Sequence, residues 1–383
     1  MISLFKDNTI KNKISHILFL AGLVCELIVM PSGHAFGWYH EKSFILCGMI
    51  LFSVSILFSM DMKKDWGIFL CLGAYGLTCY YFQSSALILR IILILLAGRK
   101  ENPLKTAKIF FYGTALIMLY AGIMSALGLH NTLYLTQVFR HEEETRWCFG
   151  FFHPNGFSLF LVKEYLLAVY IYGKNRNRLL LIVMTAICPV LLVLAGSKMG
   201  IVCFICVAAL TFAAIIIKKL HKPLFILGTV AMALQTVFIY LLGVIPFPER
   251  NYGDVLNFWD LLNEITTGRL DHARSAFLYN RLTLFGVGHA EDVTEMGSVN
   301  MIFNQGVFFA AVYIVSLFTI YYRMYKKQET FSMILILGTT FYSLSESFNA
   351  YFNKNPLWIC FIGIAAFPFI LKDIPAEKKA DNK

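Results

Sequence analysis

The sequence predicts an all-α polytopic membrane protein, with about twelve transmembrane helices in a single integral membrane domain over residues 1–383. Three observations carry that expectation. The 383 residues are 58% hydrophobic and only 15% charged, with a mean hydropathy of +0.66, whereas soluble domains are about 25% charged. The apolar residues gather into runs close to the roughly 20 residues that a helix needs to cross a bilayer. One long polar interval, residues 246–300, interrupts these runs late in the chain and predicts a large extracytoplasmic loop containing short helices.

The first apolar run, Ile14–Met30, follows Lys6, Lys11 and Lys13 and is trailed by no small-residue cleavage site, so it reads as a retained anchor rather than a signal peptide. Further spans read as Ser43–Met60, Trp66–Phe82, Ser84–Ala97, Ile109–Leu129 and Asn155–Tyr172. Beyond them come Leu179–Ala195, Gly200–Ile217, Leu224–Ile245, Met301–Tyr322, Phe331–Ser347 and Leu357–Leu371. The fourth is short and carries Arg90, which sets it apart from the other spans. Eight of the nine cysteines lie inside these runs and Cys148 sits at a boundary, so no disulfide framework is implied. Cys203 and Cys206 form a C-x-x-C, but on an apolar helix with no other ligand nearby in sequence they read as small packing residues.

Orientation follows from the basic residues. With the N-terminus inside, the inner segments hold Lys6, Lys11, Lys13; Lys63, Lys64; Arg99, Lys100, Lys105, Lys108; Lys174, Arg176, Arg178; Lys218, Lys219, Lys222; Arg323, Lys326, Lys327; and Lys372, Lys378, Lys379, Lys383. These are 22 of the 33 lysines and arginines, and every inner segment has at least two. The positive-inside rule therefore places both termini in the cytoplasm of a multi-pass cell-membrane protein, with the 246–300 loop outside. The net charge of +10 is explained by these short loops, so a nucleic-acid partner is not implied. The partner that composition does imply is the lipid bilayer.

The long loop contains four cations, Arg250, Arg269, Arg274 and Arg281, and no lysine. A planar guanidinium grips phosphate oxygens two at a time, where an ammonium acts as a point charge. Within the loop, Thr267-Gly268-Arg269 opens a predicted amphipathic helix and Phe285-Gly286-Val287-Gly288 ends it; the arginines can equally be that helix's solvated face. Two shorter outer stretches also stand out. Arg146, His153, Pro154 and Asn155 lie in RWCFGFFHPN ahead of a span, where a proline-started helix with interfacial polar residues is the plain alternative. Gly196-Ser197-Lys198 makes an abrupt turn between two spans, where a snorkelling lysine is the plain alternative.

Taken together and in this order, these stretches resemble the O-antigen polymerase and ligase superfamily, Wzy-type polysaccharide polymerases included. The family pattern R-x-FGF-x-HPN is similar to Arg146 with Phe149–Asn155, and its S-R-x-G turn to Ser197-Lys198-Met199-Gly200. Its loop signatures GR and FG-x-G are similar to Gly268-Arg269 and Phe285–Gly288, followed by Asn300 and Gly306 before the next span. The likeness covers about residues 140–310. Two departures stand out: the turn arginine is Lys198, and Val299 stands where ligase members have a histidine before the asparagine. His289, His272 and Asp292 are the substitutes on offer for a general base.

The resemblance implies a GT-C-like architecture and a metal-independent glycosyltransferase with no metal and no soluble cofactor. Its substrate would be a polyprenyl-diphosphate-linked oligosaccharide, polymerised at the outer leaflet into a capsular, exopolysaccharide or O-antigen-like glycan. A flippase and a chain-length regulator are the partners such an enzyme would work beside. On that expectation Arg269, Arg146 and Arg281 stabilise the departing diphosphate and His289 is the candidate base. Lys198, Arg274, His153, Asn155, His272 and Asn300 contact substrate. No D-x-D pair or glycine-rich phosphate loop points to a nucleotide sugar. Ligase-type transfer to another acceptor, or a transporter or flippase of the lipid-linked oligosaccharide, are the alternatives. Glu26, Arg90, Lys163, Glu164 and Glu346 are the charges in or near spans that a carrier would use.

Overall fold

A computed structural model describes residues 8–36, 41–61, 65–131, 133–139, 142–175, 178–244, 258–266, 268–287, 294–347, 351 and 354–360. In chain order the first helices are α1 (Asn8–Phe36), α2 (Glu41–Ser59), α3 (Trp66–Gln83), α4 (Leu87–Ala97) and α5 (Pro103–Ala126). A two-stranded hairpin follows, β1 (Tyr134–Phe139) and β2 (Glu142–Trp147). Then come α6 (Pro154–Tyr172), α7 (Leu179–Leu194), α8 (Lys198–Ile216) and α9 (His221–Val244). Two short helices, α10 (Phe258–Ile265) and α11 (Arg269–Tyr279), occupy the polar interval, and α12 (Gly297–Asn304), α13 (Val307–Lys326), α14 (Thr330–Tyr342) and α15 (Pro356–Cys360) complete the described chain. Among the described residues, six helices are long and apolar enough to cross a membrane: those within α1 and α2, and α5, α8, α9 and α13. α7 and α14 are apolar but shorter. The protein is a helical membrane protein.

The helix starts follow from local chemistry. Asn102 caps α5 by accepting from the Leu104 and Lys105 amides at 2.9 and 3.3 Å, and Pro103 fills the first turn, where no amide is needed. His153 and Pro154 do the same for α6. Antiparallel packing of α5 and α6 is fixed at one end by the Tyr112–Tyr172 hydroxyl pair. That end also carries the Lys174–Glu329 and Arg99–Asp65 ion pairs, the latter at 2.9 Å. α6 is the centre of the bundle, buried along most of its length between α5, α7, α8 and α14.

Several expectations are corrected. The tenth span, read as Met301–Tyr322, is broken at Gln305-Gly306 into α12 and α13. Gly306 has φ +93, which a right-handed helix cannot include. The freed amides of Val307 and Phe308 instead donate to the Thr283 and Leu284 carbonyls at 3.0 and 3.2 Å, so the stretch after α11 folds back to satisfy the broken helix's start. Hydropathy alone cannot see such a break. The predicted amphipathic helix ends at Tyr279 rather than at Phe285. The segment before α6 contains the β1–β2 hairpin, which an all-α reading omits; Tyr134 pairs with Trp147 and Leu135 with Arg146. Of the twelfth span only Pro356–Cys360 is described.

The short α4 needs no lipid-facing length because it is almost wholly buried, and Arg90 within it is answered by Glu26 of α1 through Nε at 2.6 Å and through Nη2. Gly286 shows why the loop motif demands glycine. Its φ is +81, and a Cβ there would fall on the Asn304 carbonyl. Gly286→Ala should therefore force the α12–α13 break apart, at a cost of about 2 kcal/mol or more. The check is the yield of monodisperse protein in detergent, expected to fall sharply while Val287→Ala at the next position leaves it unchanged.

Candidate functional site

Four segments far apart in sequence meet at the end of the bundle opposite the Lys174–Glu329 pair. The first is β2, whose Arg146 half-buries its guanidinium against the turn between α7 and α8. Its Nε donates to the Ala195 carbonyl at 3.0 Å, and its Nη2 to the Gly196 carbonyl at 3.2 Å and to Asn155 Oδ1 at 2.9 Å. These carbonyls are the unsatisfied end of α7, where a cation is favoured. Gly196 has φ +63, and a Cβ there would come within 2.7 Å of Arg146 Nε. The R-x-FGF-x-HPN stretch and the G-S-K-M-G turn are thus two halves of one structure, with Arg146 Nη1 uncommitted among the described residues.

The second arginine opens α11. Gly268 takes the left-handed conformation, φ +85, that turns the chain into the helix. Arg269 follows, 8% exposed. It donates from Nε to Glu295 Oε2 at 2.7 Å and from Nη2 to Glu346 Oε1 at 3.0 Å. Burial works against its charge, and the Glu346 and Glu295 carboxylates more than offset this, holding its pKa above the ordinary guanidinium value. Arg146 lies within electrostatic reach of Arg269, Glu295 and Glu346; burial pulls its own pKa below the ordinary value against the pull of nearby Glu144 and Glu346.

Glu346 stands four residues past the end of α14 with its side chain 13% exposed, whereas that of Glu295 is 58% exposed. Burial pushes the Glu346 carboxyl up to about 7, opposed by Arg269 and reinforced by Glu295. The turn that carries it is pinned. The Gly297 amide donates to the Ser343 carbonyl at 3.0 Å, and Gln235 of α9 reaches Ser298 and Ser343 at 3.0 and 3.3 Å. Asn300 of α12 donates to Ser347, and Asn304 to Asn300. Asn300 is therefore a strut for the Glu346 turn.

His153 sits beside Arg146 and Glu295 on the open side of the cluster. Its Nδ1 accepts the Asn155 amide at 3.1 Å as the cap of α6. An acceptor Nδ1 leaves the ring proton on Nε2, so the imidazole presents an N–H outward. Surrounding protein and then the Arg146 charge push its pKa below the ordinary value, with Glu295 opposing, which keeps the ring neutral at pH 7.

Of the sequence-predicted site residues, Arg146, Arg269, His153, Asn155 and Asn300 are brought together. Lys198 is exposed on the first turn of α8, beside buried Ser197, with no ion pair to a described residue. His272 and Arg274 lie on α11 beyond Arg269, exposed and half-buried, and Arg281 is exposed past its end. None of these three joins the Arg146–Arg269 cluster. His289 and Asp292, as well as Arg250, lie outside the described residues. Sequence reasoning missed Glu295 and Glu346 as partners of Arg269. Glu346 carried a signal, an acid at the end of an apolar run; Glu295 was one of eight acids in the loop and carried none.

The cluster gathers two guanidiniums, an imidazole N–H and two carboxylates on the edge of an apolar bundle. Such an array can hold a multiply charged phosphate and receive a proton beside it. Comparison with family models, with curated proteins and with solved structures gives no match.

Proposed function

We propose that the chain is a polymerase of polyprenyl-diphosphate-linked oligosaccharides, moving a growing glycan from its lipid diphosphate to a hydroxyl of an incoming lipid-linked unit at the outer leaflet. The observation that carries this reading is the meeting of Arg146 and Arg269, 123 positions apart, with His153, Asn155, Glu295 and Glu346 at one end of a membrane bundle. A departing diphosphate gathers negative charge as the glycosidic bond breaks, and positioned guanidiniums lower the energy of that state most where water is scarce. Arg269 supplies its remaining N–H donors and Arg146 its Nη1, with His153 Nε2–H as a neutral donor beside them. Asn155 orients Arg146, and Asn300 holds the turn bearing Glu346. Lys198, Arg274 and Arg281 would form a wider rim that meets the lipid headgroup on approach, with His272 as a sugar contact. With both termini in the cytoplasm, as the basic residues of the inner segments imply, this end would face outward, where a flipped lipid-linked unit is presented.

Polymerase chemistry is favoured over ligase chemistry by Val299, fully buried in α12 where a ligase-like histidine would stand. A carrier is disfavoured because the charges within the helices answer each other: Arg90 with Glu26, and Lys163 with Glu164 at 3.3 Å. The test is reconstitution. Purified protein in liposomes with a synthetic lipid-linked repeat unit is expected to give a ladder of polymer, with EDTA present as well as absent. Unchanged monomeric donor, or a ladder that vanishes with EDTA and returns with a divalent cation, would contradict the metal-free clamp.

A further inference from the structure

We propose that Glu346 is the general base that receives the proton of the attacking sugar hydroxyl. The assignment rests on the polymerase reading above and names a residue that neither the sequence motifs nor their family resemblance assign. In the step, the acceptor oxygen bonds to the anomeric carbon while the bond from that carbon to the diphosphate oxygen breaks. The electron pair leaves with the diphosphate, held by Arg269 and Arg146, and the hydroxyl proton passes to the Glu346 carboxylate and from there to water. No further reactant is needed.

The geometry singles out Glu346 among the bases nearby. It touches the clamp directly, 3.0 Å from Arg269 Nη2, so one guanidinium spans the leaving group and the proton acceptor. Its backbone is fixed by Glu346 N to the Tyr342 carbonyl at 3.1 Å and by the Gly297, Gln235 and Asn300 bonds to the same turn. A base held this firmly loses little freedom in reaching the transition state. Glu295 is more than half exposed and is engaged through Arg269 Nε. His153 presents a proton rather than a lone pair, because its Nδ1 is occupied by the Asn155 amide. The charged and titratable groups facing Glu346 are Arg269 of α11, Glu295 ahead of α12, Tyr342 of α14, Arg146 of β2 and Lys354 ahead of α15. Burial and Glu295 outweigh Arg269 and Lys354, and place its titration where a base is most useful at neutral pH.

A carboxylate base is active only when ionised, so the rate should rise with pH through an acidic limb near 7 and level off above it. The experiment measures the initial rate of polymer formation from pH 5 to 9 in liposomes holding the full chain and a synthetic lipid-linked repeat unit. Binding of polyprenyl diphosphate without sugar is measured alongside. Glu346→Gln is expected to lose about a hundredfold to ten-thousandfold in rate and to flatten the acidic limb, while polyprenyl diphosphate binds within threefold of the parent. Glu346→Asp is expected to keep part of the rate with the limb displaced, which preserves the test if the glutamine variant folds poorly. A glutamine variant with the parent's rate and limb overturns the assignment. So does one whose diphosphate affinity falls as far as its rate, or an aspartate variant with an unmoved limb. Failure of the parent protein to polymerise at any pH would instead remove the polymerase reading beneath it.

Discussion

Arg269→Ala is expected to abolish long-chain product, lowering the polymerisation rate by about a hundredfold to a thousandfold, as loss of one preorganised donor does elsewhere. The same protein should still reach the membrane. Its buried neighbours tolerate the change because Glu346, already inclined to hold a proton, becomes neutral once the guanidinium is gone. Arg269→Lys separates charge from geometry. An ammonium on a flexible stem cannot reach Glu295, Glu346 and a phosphate oxygen with fixed donors at once. It should recover less than a tenth of the parent rate, and single-turnover rates in proteoliposomes check both variants. Parent-like chain length from either one removes the clamp from the account.

The second large effect is on folding, far from the site. Glu26→Ala leaves Arg90 buried between α1 and α4 with its bidentate partner gone. Glu26 is 1% and Arg90 7% exposed, so the stranded charge should destabilise the bundle by about 3–5 kcal/mol. Glu26→Leu combined with Arg90→Leu removes both charges and should recover most of the loss, since an apolar pair of similar size often serves as well as a buried ion pair. Thermal unfolding in detergent, followed by loss of monodisperse protein, reads both. If the single and double variants unfold alike, the pair is not what holds α4 inside the bundle.

How far the sequence could take this reading differs by feature, and the differences have physical causes. Helix positions were legible because a bilayer demands long apolar runs, and runs such as Leu179–Ala195 and Leu224–Ile245 sit within a few residues of α7 and α9. His153 and Asn155 were legible because they stand at the abrupt start of an apolar run, and Arg146 and Arg269 because they are arginines beside short motifs, RWCFGFFHPN and Gly268-Arg269, in the polar stretches between runs. The break between α12 and α13 was not. It depends on the Thr283 and Leu284 carbonyls returning from the loop, a tertiary contact that leaves the hydropathy of Met301–Tyr322 unchanged. The hairpin hid inside a charged stretch, where the triple Glu142–Glu144 masks the alternation that pairs Leu135 with Arg146. Glu346 was visible as a charge near a span but was grouped with the residues a carrier would use; only its contact with Arg269 gives it another meaning. Arg281 looked equal to Arg269 in composition, and what separates them is burial: one is held by two carboxylates, the other is exposed.

The central claim is that guanidiniums gathered at one end of the bundle grip a lipid's diphosphate, and equilibrium binding in nanodiscs tests it most directly. Polyprenyl diphosphate, polyprenyl monophosphate and the parent polyprenol would be titrated against the full chain and against Arg146→Ala and Arg269→Ala. The account predicts affinity that falls in the order diphosphate, monophosphate, alcohol, with the diphosphate preference lost in both variants and alcohol binding unaltered. Equal affinity for the alcohol and the diphosphate in the parent protein would contradict it.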